Sequence, residues 1–115
     1  MLMRARKLVA DTYFYIKRHP QAWEYIESAA ADDYRRYERM AIKRYMEMAR
    51  QACKVTPSDG EEYGMANAMA PVFTRILVRE HPEYMGCIRT AKSMVDDVFA
   101  DERYIAFLEA ETRAA

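Results

Sequence analysis

Two histidines, His19 and His81, each stand directly before a proline. Neither belongs to an H-E-x-x-H pair, so no helix-borne zinc site of that kind exists, and capping or corner packing is the role expected of both. Cys53 and Cys87 lie 34 positions apart without a CxxC partner. That spacing excludes the common zinc and dithiol motifs, and both are read as small core hydrophobes. Asp96-Asp97 with Asp101-Glu102 sets carboxylates at i, i+4 and i+5 of a helix. A divalent cation can sit on such a set, but a plain acidic face is the ordinary outcome. No G-x-S-x-G, Walker-A or G-x-G-x-x-G string occurs, and 3 glycines are too few for a phosphate cradle. The expectation is a protein that is not an enzyme and holds no metal or cofactor.

The remaining charges are arranged rather than reactive. Arg36, Arg39, Lys43 and Arg50 recur at helical intervals, with Glu47 interrupting them and Tyr37 beside them. On one helix they form either a solvated face laced with i,i+4 pairs or a ridge for phosphate or an acidic partner. Arg36, Arg39, Lys43, Arg50 and Tyr37 are the candidate partner-binding residues. The formal net charge is zero, yet residues 1–54 carry twelve Lys/Arg against seven Asp/Glu and residues 55–115 carry six against eleven. A dipolar surface follows if the halves occupy different faces. The 9 Tyr and 9 Met suit a docking surface, although Tyr13, Tyr34, Tyr37 and Tyr45 also fall on apolar stripes.

The elements that must position these residues read as helices throughout. At 115 residues and 51% hydrophobic, the chain has the size of one domain with one core, and its poverty in Gly and β-branched residues favours helix. Arg4, Arg6, Lys7 and Asp11 break up the first apolar stretch, so neither a bilayer-crossing run nor a secretory segment is visible, and a cytoplasmic location is expected.

Leu2, Ala5, Leu8 or Val9, Thr12, Tyr13 and Ile16 predict a first helix over 2–18, which His19-Pro20 turns into the next. From 21 to 53 there is no Gly or Pro, and apolar residues repeat every eleven: Trp23, Tyr34, Tyr45; Ile26, Tyr37, Met48; Ala30, Ala41, Ala52. This predicts one bent helix or two stacked segments, the second capped by Asp32-Asp33. Residues 54–64 are the clearest loop. Ala66, Met69, Val72 or Phe73, Ile76 and Leu77 then predict a helix that runs to Arg79 or Glu80, with Asn67 as a candidate cap and Pro71 in its first turns, and His81-Pro82 ends it. Tyr84, Met85, Ile88, Ala91, Met94 or Val95, Val98 and Phe99 predict a further amphipathic helix. Asp101 caps the last, whose Ile105 and Leu108 pack inward while Glu109, Glu111 and Arg113 face water.

Pro20 and Trp23, Glu47 and Arg50, Asn67, then Arg75 and Arg79 ahead of His81, Pro82 and Glu83 form a layout that resembles a group of small phage and prophage proteins of unassigned function. His19 stands where that group carries Asn, and Gln51 where Trp commonly follows the Arg. The resemblance covers about residues 19–90. It implies a compact helical fold in a mobile-element setting, and no reaction. Small proteins of that setting act by occupying a host or defence machine, anti-CRISPR inhibitors among them, or by regulating transcription.

The fold class expected is therefore all-α: a single-domain irregular helical bundle of five to six helices over 1–115, with one long or bent central helix. The function expected is non-enzymatic, stoichiometric binding to a protein or nucleoprotein partner. A DNA-binding regulator is the alternative. A homodimer through the eleven-residue stripe is left open, and no membrane is involved.

Overall fold

Each His-Pro step ends one helix and starts another, and the two corners share a backbone geometry: His19 has φ −128° and ψ 64°, His81 φ −134° and ψ 78°. Proline disfavours the helical region for the residue before it, while its own missing N–H is harmless in a first turn. A computed structural model of the chain describes residues 2–36, 38–53, 65–88 and 91–113, with the backbone alone at Leu2. Six α-helices span them: α1 (Leu2–Arg18), α2 (Pro20–Arg35), α3 (Ile42–Cys53), α4 (Ala70–Glu80), α5 (Val95–Phe99) and α6 (Glu102–Thr112). Short 3-10 turns occupy Asn67–Met69 and Pro82–Cys87, and no strand is present among the described residues. The all-α expectation is met. None of the helices is long and apolar enough to cross a membrane.

One contiguous core joins all six helices. From α1 come Ala5, Val9, Tyr13 and Ile16, from α2 Trp23, Ile26 and Ala30, from α4 Val72, Phe73, Ile76 and Leu77, from α6 Ile105 and Leu108. These are the positions that helical periodicity selects. Trp23 stacks on Phe73 at 5.5 Å between ring centroids, and Tyr15 meets the same ring edge-on at 6.2 Å. The Cα radius of gyration is 13.6 Å, close to the ~13 Å of a close-packed chain of this length.

The central segment corrects the eleven-residue stripe. It is two helices, and the chain is out of helical geometry at Arg36 and over 38–41. Tyr45 of α3 reaches Asp33 of α2, and Met48 shares a groove with Tyr25, Ser28 and Ala29, so α3 folds back along α2. The break is held from outside: the Met40 N–H donates to the Cys87 carbonyl at 3.1 Å and the Met40 side chain is buried. The stripe therefore loses phase. The buried face of α3 is Tyr45, Met46 and Ala49, while Ala41, Met48 and Ala52 are exposed. Asp32 and Asp33 do not cap α3. Asp32 pairs with Arg35, and Asp33, buried, accepts from the Tyr45 hydroxyl and from Arg44 at 3.1 Å.

The helix expected over 84–99 is also interrupted. A 3-10 turn ends at Cys87, Ile88 is extended at φ −114° and ψ 128°, and helix resumes only at Val95. Ser93 and Asp96 act as a reciprocal stop: the Ser93 N–H donates to Asp96 at 3.0 Å while Ser93 Oγ accepts from the Val95 N–H at 3.3 Å. Met85, Ala91 and Met94 are consequently exposed rather than stacked on one buried face. Asp101 caps α6 as expected, accepting from the Tyr104 N–H at 3.2 Å.

Candidate functional site

The α2–α3 connection collects three of the predicted basic residues. Arg36 follows the last turn of α2, Arg39 lies in the connection and Lys43 in the first turn of α3; all three are exposed. Tyr37 lies outside the described residues. None of the three cations makes a side-chain hydrogen bond or ion pair with any described residue. Arg36 is well placed at the negative end of the α2 dipole. Lys43 is placed against the ordinary preference, because the first turn of α3 contains no acidic residue and carries Lys43 and Arg44 on its positive end. Arg44 is offset by Asp33, and Lys43 is not. With Glu38 also exposed between Arg36 and Arg39, the connection is a small knob of net positive charge rather than the helical ridge read from the spacing.

Arg50 does not belong to it. Its Nη2 donates to the Met65 carbonyl at 2.7 Å and to Asn67 Oδ1 at 2.8 Å, its Nε to the same carbonyl at 3.2 Å, and its Nη1 to Glu47 at 2.9 Å. This guanidinium ties α3 to the chain ahead of α4, and Asn67 serves as its acceptor instead of as a helix cap. Glu47, Arg50 and Asn67, quoted apart in the sequence, are thus one structural joint.

Arg75, Arg79 and Arg113 are spent in the same way. Arg79 forks onto Glu109 at 2.8 and 3.2 Å and onto Glu102 at 3.0 and 3.2 Å. Two carboxylates on one guanidinium anchor α6 to α4, and Glu109 and Arg113 are half-buried in such pairs instead of facing water. The acidic set at 96–102 is divided between this fork, Arg75 and the α6 cap. Asp96 and Glu102 are held below the usual carboxylate range by the arginine hydrogen bonds they accept.

A second cluster sits at the His81 corner, where α4 ends against α2 and the last residues of α6. The His81 ring stacks on Tyr84 at 4.7 Å, its Nε2 faces Glu27 Oε2 at 3.7 Å and its Nδ1 faces Glu83 Oε2 at 3.8 Å. Arg113 donates to Glu80 at 3.0 and 3.2 Å, lies 3.9 Å from Glu27 and covers the Trp23 ring at 5.7 Å. Burial raises the Glu27 carboxyl above its usual value and Glu80 adds to the rise, against the pull of Arg113 and His81. Sequence reading treated His81 as a corner residue and passed over Glu27 and Glu80. The local signal was a histidine with a carboxylate on either side, E-H-P-E, plus Glu27 one turn beyond Trp23.

The tyrosines went inward. No described tyrosine is exposed, and the exposed large apolar side chains among the described residues are Met3, Met48, Met85, Met94 and Phe107. Met85 rims a groove of about 310 Å³ with Thr74, Val78, Ile88 and Phe99 along its walls. Cys53 and Cys87 are free thiols, each half-buried against the core. No family model, curated protein or solved structure matches the chain.

Proposed function

We propose that this protein is a non-enzymatic binding module that associates stoichiometrically with a larger macromolecular partner through its α2–α3 connection. The observation that supports the reading is the contrast among its cations. Arg50, Arg75, Arg79 and Arg113 are consumed in hydrogen-bonded contacts within the fold, whereas Arg36, Arg39 and Lys43 are exposed on one short stretch, outnumber its single carboxylate, Glu38, and form no ion pair with a described residue. Exposed cations of that kind select an anionic surface and steer its approach more than they stabilise the fold. The partner of matching chemistry is an acidic protein or a nucleoprotein. In the mobile-element setting implied by the resemblance it is a host-defence nuclease that is occupied rather than processed, in the manner of anti-CRISPR inhibitors, within the cytoplasm.

A DNA-binding regulator is the second reading, favoured by one observation: two helices joined by a short basic connection. The fold-back of α3 along α2 weighs against it, because a recognition helix crosses its partner steeply. Affinity capture from the host with the wild-type chain and with Arg36→Glu/Arg39→Glu/Lys43→Glu tests both. A partner held in fixed ratio by the wild type and lost by the variant supports binding through the connection. Retention by the variant overturns it. Tight duplex binding that weakens steeply with salt moves the conclusion to the regulator.

A further inference from the structure

We propose that Glu27, Glu80 and His81 form a binding site for a divalent transition cation of the zinc class, clasping α2 to the corner after α4. One ligand atom from each residue lies within 4.8 Å of the other two. Zinc bonds of about 2.0–2.2 Å place tetrahedral ligands roughly 3.4 Å apart. The Glu27 and His81 atoms, at 3.7 Å, are already near that separation. Drawing in the remaining oxygen needs only torsion of a half-buried glutamate side chain. Two carboxylate oxygens and one imidazole nitrogen suit zinc and its neighbours, whereas calcium and magnesium prefer oxygen alone.

Three features independent of the carboxylates' proximity point the same way. His81 is flanked as a metal-bound imidazole is: Nε2 faces Glu27 at 3.7 Å, while Glu83 stands 3.8 Å from Nδ1 on the other side of the ring, in the place of an outer carboxylate. The charge is also out of balance. Glu27 and Glu80 share the single guanidinium of Arg113, and Glu27 and Glu83 face the two nitrogens of the His81 ring, so carboxylates outnumber the arginines that could balance them. A bound cation supplies counter-charge. Finally, Arg113 does not exhaust Glu80, because each carboxylate oxygen keeps a second lone pair beyond the one it offers the guanidinium. With three protein ligands the fourth position stays open to water or an anion, adjacent to Arg113.

The test is calorimetric titration of the full chain with zinc chloride, paired with the visible spectrum of the cobalt(II) form. One ion per chain is expected, with the intense visible bands of a four-coordinate site. Binding should persist in Cys53→Ser/Cys87→Ser and fall about a hundredfold in Glu27→Gln. Glu27→Gln is nearly isosteric and keeps the fold, which circular dichroism checks, so the result does not depend on altering the His81 corner. No heat and no cobalt bands in the wild type overturn the proposal. So does binding that survives Glu27→Gln or disappears with the two cysteines.

Discussion

Asp96 receives both arms of the Arg75 guanidinium, with Nε 2.8 Å from Oδ1 and Nη2 3.2 Å from Oδ2. The same Nη2 reaches the Ala91 carbonyl at 2.8 Å, so one arginine of α4 fastens the irregular approach to α5 and its first turn together. Asp96→Asn removes the ionic half of this joint. Because Asp96 is partly exposed, the loss is expected to be only about 1 kcal/mol. The Asp96 pKa is depressed in the folded state, so its contribution is present above the unfolded value near 4 and is lost as pH falls through the lower folded value. Urea unfolding should separate the two proteins at pH 7 and bring them together in strong acid.

Tyr45 donates its hydroxyl to buried Asp33, and burial followed by that carboxylate pushes its pKa up to about 12. Tyr15 is pushed to about 12 by burial, and Tyr13 further still by burial and Glu109. Raised values mean that these rings stabilise the fold fully below the unfolded value near 10, an effect lost as pH climbs through the folded values. An alkaline absorbance titration should show a delayed fraction of the tyrosines that ionises only with unfolding. Ionisation of all nine as one wave near pH 10 would contradict the buried placement.

Tyr45→Phe isolates the clasp between α2 and α3. It leaves the Asp33 carboxylate buried with Arg44 as its remaining side-chain donor, and an expected cost of about 1–3 kcal/mol. Chemical denaturation against the wild type measures it.

The single tryptophan reports on the core. Trp23 is 1% exposed and lies between the Phe73 ring and the Arg113 guanidinium. Its emission should be blue-shifted in the native state and move red on unfolding. Trp23→Ala removes a fully buried ring, at an expected cost of about 3–5 kcal/mol, enough to unfold many domains of this size.

Two arginine variants should diverge. Arg36→Glu with Arg39→Glu is expected to change stability by less than about 0.5 kcal/mol, the usual range for exposed side chains without partners. Arg50→Ala strands the Met65 carbonyl and Asn67, at about 1–3 kcal/mol. Equal melting temperatures for all the variants would show that Arg50 is no joint.

Much of the fold was legible because its causes are local. The apolar spacing of α1, α4 and α6 and the proline after each histidine act within a turn or two of chain, and the core positions they select are those found buried. The lost phase of α3 was not legible. Nothing near Met40 announces that its N–H will find the Cys87 carbonyl, or that its side chain will enter the core where a continued helix would carry Ala41. The site followed the same division. Arg36, Arg39, Lys43 and Arg50 look equivalent in spacing, and only partners distant along the chain separate Arg50 from the others.

By itself, then, the sequence determined that this chain is helical, where prolines turn it and which stripes go inward, since backbone propensity and periodic burial operate between near neighbours. The tertiary structure alone decided which charges are spent and which are left over, and it brought Glu27, Glu80, His81 and Arg113 to one corner. A charge's fate depends on the side chains that packing delivers to within a few ångströms, and no spacing along the chain encodes that distance.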